Sequence, residues 1–386
     1  WTTQSKLQKK WIKSYHTYYG KHFQGTEHGN SEIQRGGAEG ELFLVSVNHY
    51  RNLLKHVLIM ATAQRTSFDI RAINSDVQSM QQARLANSII ESYFRERRFE
   101  DKFKQSAEMS LVFGKGFIEL EWDKKKGTVL GAKSHMTEEG EEKLSLQYDG
   151  DVTIRTPSVF DVNFDQSCES WDDLQWITTR RFLNKFDLAA RYQDKADDIL
   201  ALQTKTEAYA KRFMGQRNPE LSADVPVFYF YHKRSDSMPN GRFVKYCEGG
   251  LVLEDLPMPY RKLPVFMVTP GVVYGSVEGY TEGFDILGLQ EVLNTLLSTA
   301  YTNNASFGVQ RVLVPEGSNI SVDQVSTDLA FIKYNPQAGE PKALQLTATP
   351  PELFKLFEMV VNSAEILSGI NSVTRGQPNE NLKSGT

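Results

Sequence analysis

Residues 280–302 read YTEGFDILGLQEVLNTLLSTAYT, and residues 349–369 read TPPELFKLFEMVVNSAEILSG. These two stretches decide the architecture. In the first, Ile286, Leu289, Leu293, Leu296, Leu297, Ala300 and Tyr301 keep the three-and-four spacing of one helix face. Glu291, Asn294, Ser298 and Thr302 follow the opposite, polar face. At 1.5 Å per residue such a helix runs to roughly 35 Å. Its charges are all acidic, and Glu278, Glu282 and Asp285 lie before or within the first turns, where the helix dipole favours carboxylates. In the second stretch, Thr349 offers an N-cap hydroxyl, Pro350 occupies the first helical position and Glu352 the capping-box position. Leu353, Leu356, Phe357, Val360, Val361, Ala364 and Leu367 form its apolar stripe, and Gly369 can end it in a left-handed conformation.

Between these helices, Gln310–Val314 and Ala330–Tyr334 read as strands. Pro315-Glu316-Gly317, a polar stretch with Asp323 and Asp328, and the turn 335–339 break the segment. A polar loop, 372–381, follows the second helix. The order is therefore helix, small β-rich excursion, helix, polar loop.

Upstream, residues 1–22 hold five lysines, no acid and interleaved aromatics, and predict a helix that is either a solvated amphipathic face or a contact for an anionic partner. Residues 24–40 read as a loop, and Glu41 to about Gln64 as a helix. Asn74-Ser75-Asp76 predicts a helix start before a long periodic run, and another helical stretch ends near Phe113. The pattern then alternates. Phe117–Trp122, Val152–Thr156, Gln175–Phe182, Pro226–His232, Arg242–Cys247 and Pro264–Thr269 read as strands, with a hairpin turn at 238–241. Asn184 caps a short helix through Tyr192, and Lys205–Met214 reads as another. The middle of the chain is α+β with a mainly antiparallel sheet.

Chemistry-bearing motifs are scarce. Gly114-Lys115-Gly116 lacks the Lys-Ser/Thr pair that opens the helix of a phosphate loop, and a strand follows it, so it reads as a plain turn. Asp161/Asp165, Asp172-Asp173 and Asp197-Asp198 match no metal loop and read as solvated acids or caps. No zinc-hydrolase histidine spacing and no Gly-x-Ser-x-Gly elbow occur, and Cys168 has no cationic neighbour in sequence to stabilise a thiolate. His49 and His56, one heptad apart, read as a packing or interface face. Two distant cysteines fit a reduced compartment. A net charge of -4 argues against a sequence-reading DNA binder, though not against a protein that lets DNA pass. The expectation is a chain with no catalytic residues, no metal, no cofactor and no membrane span. Trp1 in place of an initiator Met and the end at Leu382–Thr386 read as truncated termini.

An ordered set of phrases resembles the portal proteins of tailed bacteriophages, of the podovirus-like kind. The phrases are Asp76 with Ala83–Asn87, Phe113–Gly116, Tyr274-Gly275-Ser276, Leu289-Gln290, Leu293-Asn294, Ser368–Asn371 and Arg375-Gly376, and they cover most of the chain. The resemblance implies an α+β portal fold. Residues 1–40 would precede an α/β wing over 41–278. Residues 279–304 would be the first stem helix, 305–348 the clip, 349–370 the second stem helix, and 371–386 the start of the tunnel loop; the family's C-terminal crown or barrel is not present. It implies a closed homo-oligomeric ring, usually a dodecamer, at the capsid vertex of the virion, assembled in the host cytoplasm. Double-stranded DNA would pass through it non-specifically during packaging and ejection. Terminase large subunit, major capsid or scaffolding protein, and a tail adaptor are the implied partners. Arg375, Gln377, Asn379, Asn381 and Lys383 would face DNA; Glu291, Asn294, Ser298 and Thr302 would be the polar face of the stem; Arg311, Asp323, Asp328, Lys333 and Lys342 would meet partners at the clip. A head–tail adaptor or connector ring that does not translocate DNA is the alternative.

Overall fold

The computed structural model describes residues 5–23, 33–37, 42–64, 68–124, 126–136, 142–202, 223–307, 312–313, 337, 342–343 and 351–370. Among them the fold is α+β. Its helices are α1 (Ser5–Tyr18), α2 (His49–Ala61), α3 (Val77–Glu96), α4 (Phe99–Phe113), α5 (Lys185–Arg191), α6 (Ala196–Ala201), α7 (Gly283–Phe307) and α8 (Pro351–Ser368). The chain divides into two compact units. The first comprises Trp1–Tyr15 and Asn52–Phe284, the second His16–Arg51 and Asp285–Thr386.

The first unit is organised around two antiparallel sheets. The strands of these two sheets are β1 (Gly116–Asp123), β2 (Asp151–Arg155), β3 (Val162–Phe164), β4 (Trp176–Asn184), β5 (Asp224–His232), β6 (Arg242–Cys247), β7 (Val252–Leu256) and β8 (Val265–Val268). Strands β3 to β7 pair in chain order as a five-stranded meander, and β1 lies between β8 and β2 in a three-stranded sheet. The alternation of β5 explains its place. Val225, Val227, Tyr229 and Tyr231 point inward and are buried, while Phe228, Phe230 and His232 are only half-buried. Gly241, at φ 61, makes the turn between β5 and β6 that the sequence predicts.

Aromatic rings fill much of this core. Trp11 of α1 and Phe113 of α4 each meet Phe160 edge-on, at 5.8 and 5.6 Å, and Phe164 meets Trp171 at 5.3 Å. Helix α4 ends where Gly114 turns left-handed at φ 83, its N–H donating to the Ser110 carbonyl. The chain then enters β1. At this turn the backbone passes so near Gly279 that a Cβ on Gly279 would stand 2.0 Å from the Gly114 carbonyl oxygen. Helix α3 is different: it starts at an Asp76 cap that accepts from the Ser79 N–H at 3.0 Å, yet buries none of its residues.

The segment read as one helix from Glu41 to Gln64 is helical only from His49 to Ala61. Leu42–Leu44 is instead a strand paired with Gln34–Gly36, and both lie in stretches given other readings from sequence. Leu44 and Val47 satisfy a helical spacing, but the Phe43 and Val45 amides and the Val47 carbonyl find partners in the extended form, described below. Helix α7 starts three residues later and runs five residues further than the sequence predicts. Helix α8 starts at Pro351, and Gly369 follows it at φ 68. Val312–Leu313 pairs antiparallel with Lys342–Ala343, within the β-rich excursion between the two helices. Strand candidate Ala330–Tyr334 and helix candidate Lys205–Met214 lie outside the described residues. No helix among the described residues is long and apolar enough to cross a membrane.

Gly279→Ala should lower stability by about 1–3 kcal/mol, because its neighbour is backbone and cannot give way. Gly271→Ala, whose Cβ would meet nothing nearer than 3.6 Å, should leave the urea midpoint close to that of the parent. A second expectation concerns His22, whose imidazole burial lowers to about 4. As pH falls from about 6.5 the unfolded chain takes up a proton that the folded chain refuses, so stability declines down to about pH 4 and then levels. The loss is at most about 3 kcal/mol, less where solvent screens the ring, and His22→Asn should flatten that part of the pH profile.

Candidate functional site

Helix α7 presents a polar ladder to an extended chain. Gln290, Asn294 and Ser298 are buried and Thr302 half-buried, each four residues from the next. Four helical residues rise about 6 Å, and two residues of extended chain cover about 6.7 Å, so every second amide of a strand can meet every fourth side chain of a helix. That match is realised at Phe43 and Val45, and Gln290 takes up the chain beyond them. Thr302 Oγ1 accepts the Phe43 N–H at 2.9 Å. Ser298 Oγ accepts the Val45 N–H at 2.9 Å and donates to the Val45 carbonyl at 3.2 Å. Gln290 Nε2 donates to the Val47 carbonyl and to Asn294 Oδ1, both at 2.8 Å, while its Oε1 accepts the Tyr50 N–H at 2.9 Å. Asn48 then caps α2 by accepting the Arg51 N–H at 2.8 Å. Backbone groups that have no strand neighbour on this side are thereby satisfied.

The first unit holds a second constellation. Glu119 on β1 is fully buried. Its Oε1 accepts from Arg181 Nη2 at 2.8 Å and Thr179 Oγ1 at 2.9 Å, both on β4, and Arg155 of β2 reaches its Oε2 at 3.4 Å. Arg181 also donates to Glu121 at 2.5 Å, with its guanidinium 3.7 Å from the centre of the Tyr229 ring. Burial works against the Arg181 charge, but Glu119 and Glu121 hold its pKa above the ordinary value. Burial, and then Arg181 itself, lowers Arg155. Above this network lies a cleft of about 1050 Å³, among whose lining residues Lys and Arg outnumber Asp and Glu by six to four. Its rim includes Trp122 and Tyr260, and the Tyr260 hydroxyl accepts the Trp122 N–H at 3.1 Å.

A third feature is the turn 114–116. Lys115 is buried, its Nζ 2.6 Å from Glu278 Oε2 and between the rings of Trp11 and Phe164 at 4.8 and 4.7 Å. Burial lowers its pKa, and Glu278 opposes that shift.

Of the stem residues singled out from sequence, Glu291 is exposed, while Asn294, Ser298 and Thr302 join the ladder. Gln290 belongs with them and was missed, although it continues their four-residue spacing by one turn. Lys342 sits in a two-residue strand opposite Leu313. Arg311, Asp323, Asp328, Lys333, Arg375, Gln377, Asn379, Asn381 and Lys383 lie outside the described residues. Neither the Glu119–Arg181 pair nor the Lys115–Glu278 pair carries a sequence signal, because the partners are 62 and 163 residues apart.

The acids and the cysteine singled out from sequence have other roles among the described residues. Burial and the Asp165 carboxylate push the Cys168 thiol up, which disfavours a thiolate nucleophile. Asp161 is an ion-pair partner, 2.8 Å from Arg180, and Asp172-Asp173 and Asp197-Asp198 occupy first helical turns. Among the described residues no group of three or more His, Cys, Asp or Glu is placed to hold a metal ion. The chain matches no protein-family model and no curated protein.

Gln290→Leu should strand the Tyr50 N–H and the Val47 carbonyl, at a cost of about 1–3 kcal/mol for each unsatisfied group. Hydrogen exchange should accelerate at Phe43, Val45 and Tyr50 before it does in β4 and β5.

Proposed function

We propose that this chain is a portal protein of a tailed bacteriophage, one subunit of a closed ring through which double-stranded DNA is packaged and ejected. The observation that carries the reading is the order of elements in the second unit. A 25-residue helix, α7, is followed by the pairing of Val312–Leu313 with Lys342–Ala343 and then by the 18-residue α8. That order agrees with a stem helix, a β-rich clip and a second stem helix, and it joins the phrases of sequence that resemble the family. The helices would span about 37 and 27 Å.

Charge supports the same reading. Helix α7 carries Asp285 and Glu291 and no Lys or Arg. Each phosphate neutralised by a cation adds affinity for DNA, so an acidic stem favours passage over retention. The role is structural and non-enzymatic: the ring sits at the capsid vertex of the virion, contacts major capsid or scaffolding protein, and offers its clip to the terminase large subunit and later to a tail adaptor.

Imaging of the purified chain tests this directly. The expected particle is a closed ring, in averaged top views, with a central hole wide enough for duplex DNA. A monomer, or a solid or open assembly, would sink the proposal. Deleting 372–381 should spare the ring and impair packaging or retention of DNA. Rings that package normally without this loop would argue for a connector that does not translocate DNA.

A further inference from the structure

Residues 77–113 contain no Gly and no Pro, yet they do not form one helix. Helix α3 ends at Glu96 and α4 starts at Phe99. The break falls on Arg97 and Arg98, residues of a type that favours helix. Arg98 takes φ 49 and ψ 49, and among the described residues it is the one non-glycine with positive φ. An L side chain is strained there by its own Cβ. Arg98 stands at the N-cap of α4 and makes no capping hydrogen bond with its side chain. The first amides of α4 have no acceptor within their own helix. Local preference therefore favours one continuous helix, and the bend has another cause.

Contacts across the joint supply it. Phe94 stacks on Phe99 with ring centres 4.5 Å apart, and Phe68 meets Phe94 at 4.9 Å and Phe99 at 6.5 Å. In a continuous helix, residues five apart stand about 140° apart round the axis, so Phe94 and Phe99 stack only when the chain bends. Arg97 also pairs with the buried Asp151 at the start of β2. A straight joint would lose these contacts. It would gain α3 carbonyls for the first amides of α4, a relaxed backbone at Arg98, and an Arg97–Asp101 pair at helical spacing. An aromatic stack and one left-handed residue are effects of the same order.

The two helices differ in what holds them. Helix α4 buries Ser106, Ala107 and Ser110–Phe113 in its C-terminal half, whereas α3 buries no residue. Helix α3 can therefore swing about the joint without opening a core. Asn87 grips the Ile70 backbone, accepting its N–H at 2.8 Å and donating to its carbonyl at 3.0 Å, so Ile70 travels with α3.

We infer that Arg97-Arg98 is a two-state joint: bent with Phe94 on Phe99, and straight with α3 and α4 as one helix. The joint lies within the first unit and does not depend on the ring reading.

The test uses the full chain with Cys168→Ser, leaving buried Cys247 in place. Nitroxide labels on Gln81→Cys and Lys104→Cys, both exposed sites, report the distance by pulsed electron spin resonance. Dilution with unlabelled chain keeps the measured distances intramolecular. The straight form puts the two backbone sites about 35 Å apart, and any bend shortens that. The parent should show mainly the shorter distance. Phe94→Ala removes the stack and should raise the longer population severalfold, up to about tenfold. Phe94→Leu should act in the same direction, and serves if the alanine variant fails to fold. Adding Arg98→Gly to either should cut the longer population about tenfold or more, since Gly accepts the left-handed bend and disfavours a helix interior. One distance unchanged across all variants would overturn the joint. So would a longer distance that survives Arg98→Gly.

Discussion

One buried carboxylate constrains the first unit. Glu119 lies on β1 with no exposure to water, and an ionised group there costs several kcal/mol unless it is paired and hydrogen-bonded. Its partners come from other strands: Thr179 and Arg181 from β4, Arg155 from β2. The two sheets must therefore meet at this level and in this register. A slip of one residue along β4 would turn Thr179 and Arg181 to the other face and leave the carboxylate alone. Arg181, held also by Glu121 and lying over Tyr229, forms the floor on which the open cleft rests. The cleft follows from the pairing, since polar groups that bind one another leave the space above them unfilled.

The second unit uses polar groups differently. Here neutral side chains of α7 satisfy a backbone. An extended segment with a neighbour strand on one side only must place its other amides somewhere, and burial makes an unplaced amide costly. Gln290, Ser298 and Thr302 meet that need at the spacing a helix and a strand share, and Asn294 braces Gln290. The helix face that packs is thus partly polar, and several of its leucines are only half-buried.

Exposed apolar side chains recur outside these cores. Helix α3 buries none of its twenty residues and shows Val77, Leu85 and Ile89 to solvent, while α8 shows Phe354, Met359 and Ile366. Helices of this kind gain most of their stability from packing rather than propensity. This exposed apolar helical surface is among the grounds for the ring proposed above.

Local structure was legible wherever a local cause produces it. Asp76 and Asn184 as caps, Gly369 as a left-handed end, the 238–241 turn, the strand Arg242–Cys247 and the stripes of α7 and α8 all follow from dihedral preferences and periodicity within a few residues. Residues 42–47 show the limit of that reasoning. Their spacing fits a helix, and the side chains of α7, some 250 residues away, together with pairing to Gln34–Gly36, hold the extended form. The same holds for Lys115, which reads as an ordinary turn lysine and is in fact buried against Glu278. By itself, then, the sequence determined the α+β class, the long helices and most strands of the two larger sheets, but not the partner of Val312–Leu313, which is Lys342–Ala343. The tertiary structure alone decided which polar residues are buried, because burial and ion pairing depend on neighbours brought together across the fold, and no local pattern encodes them.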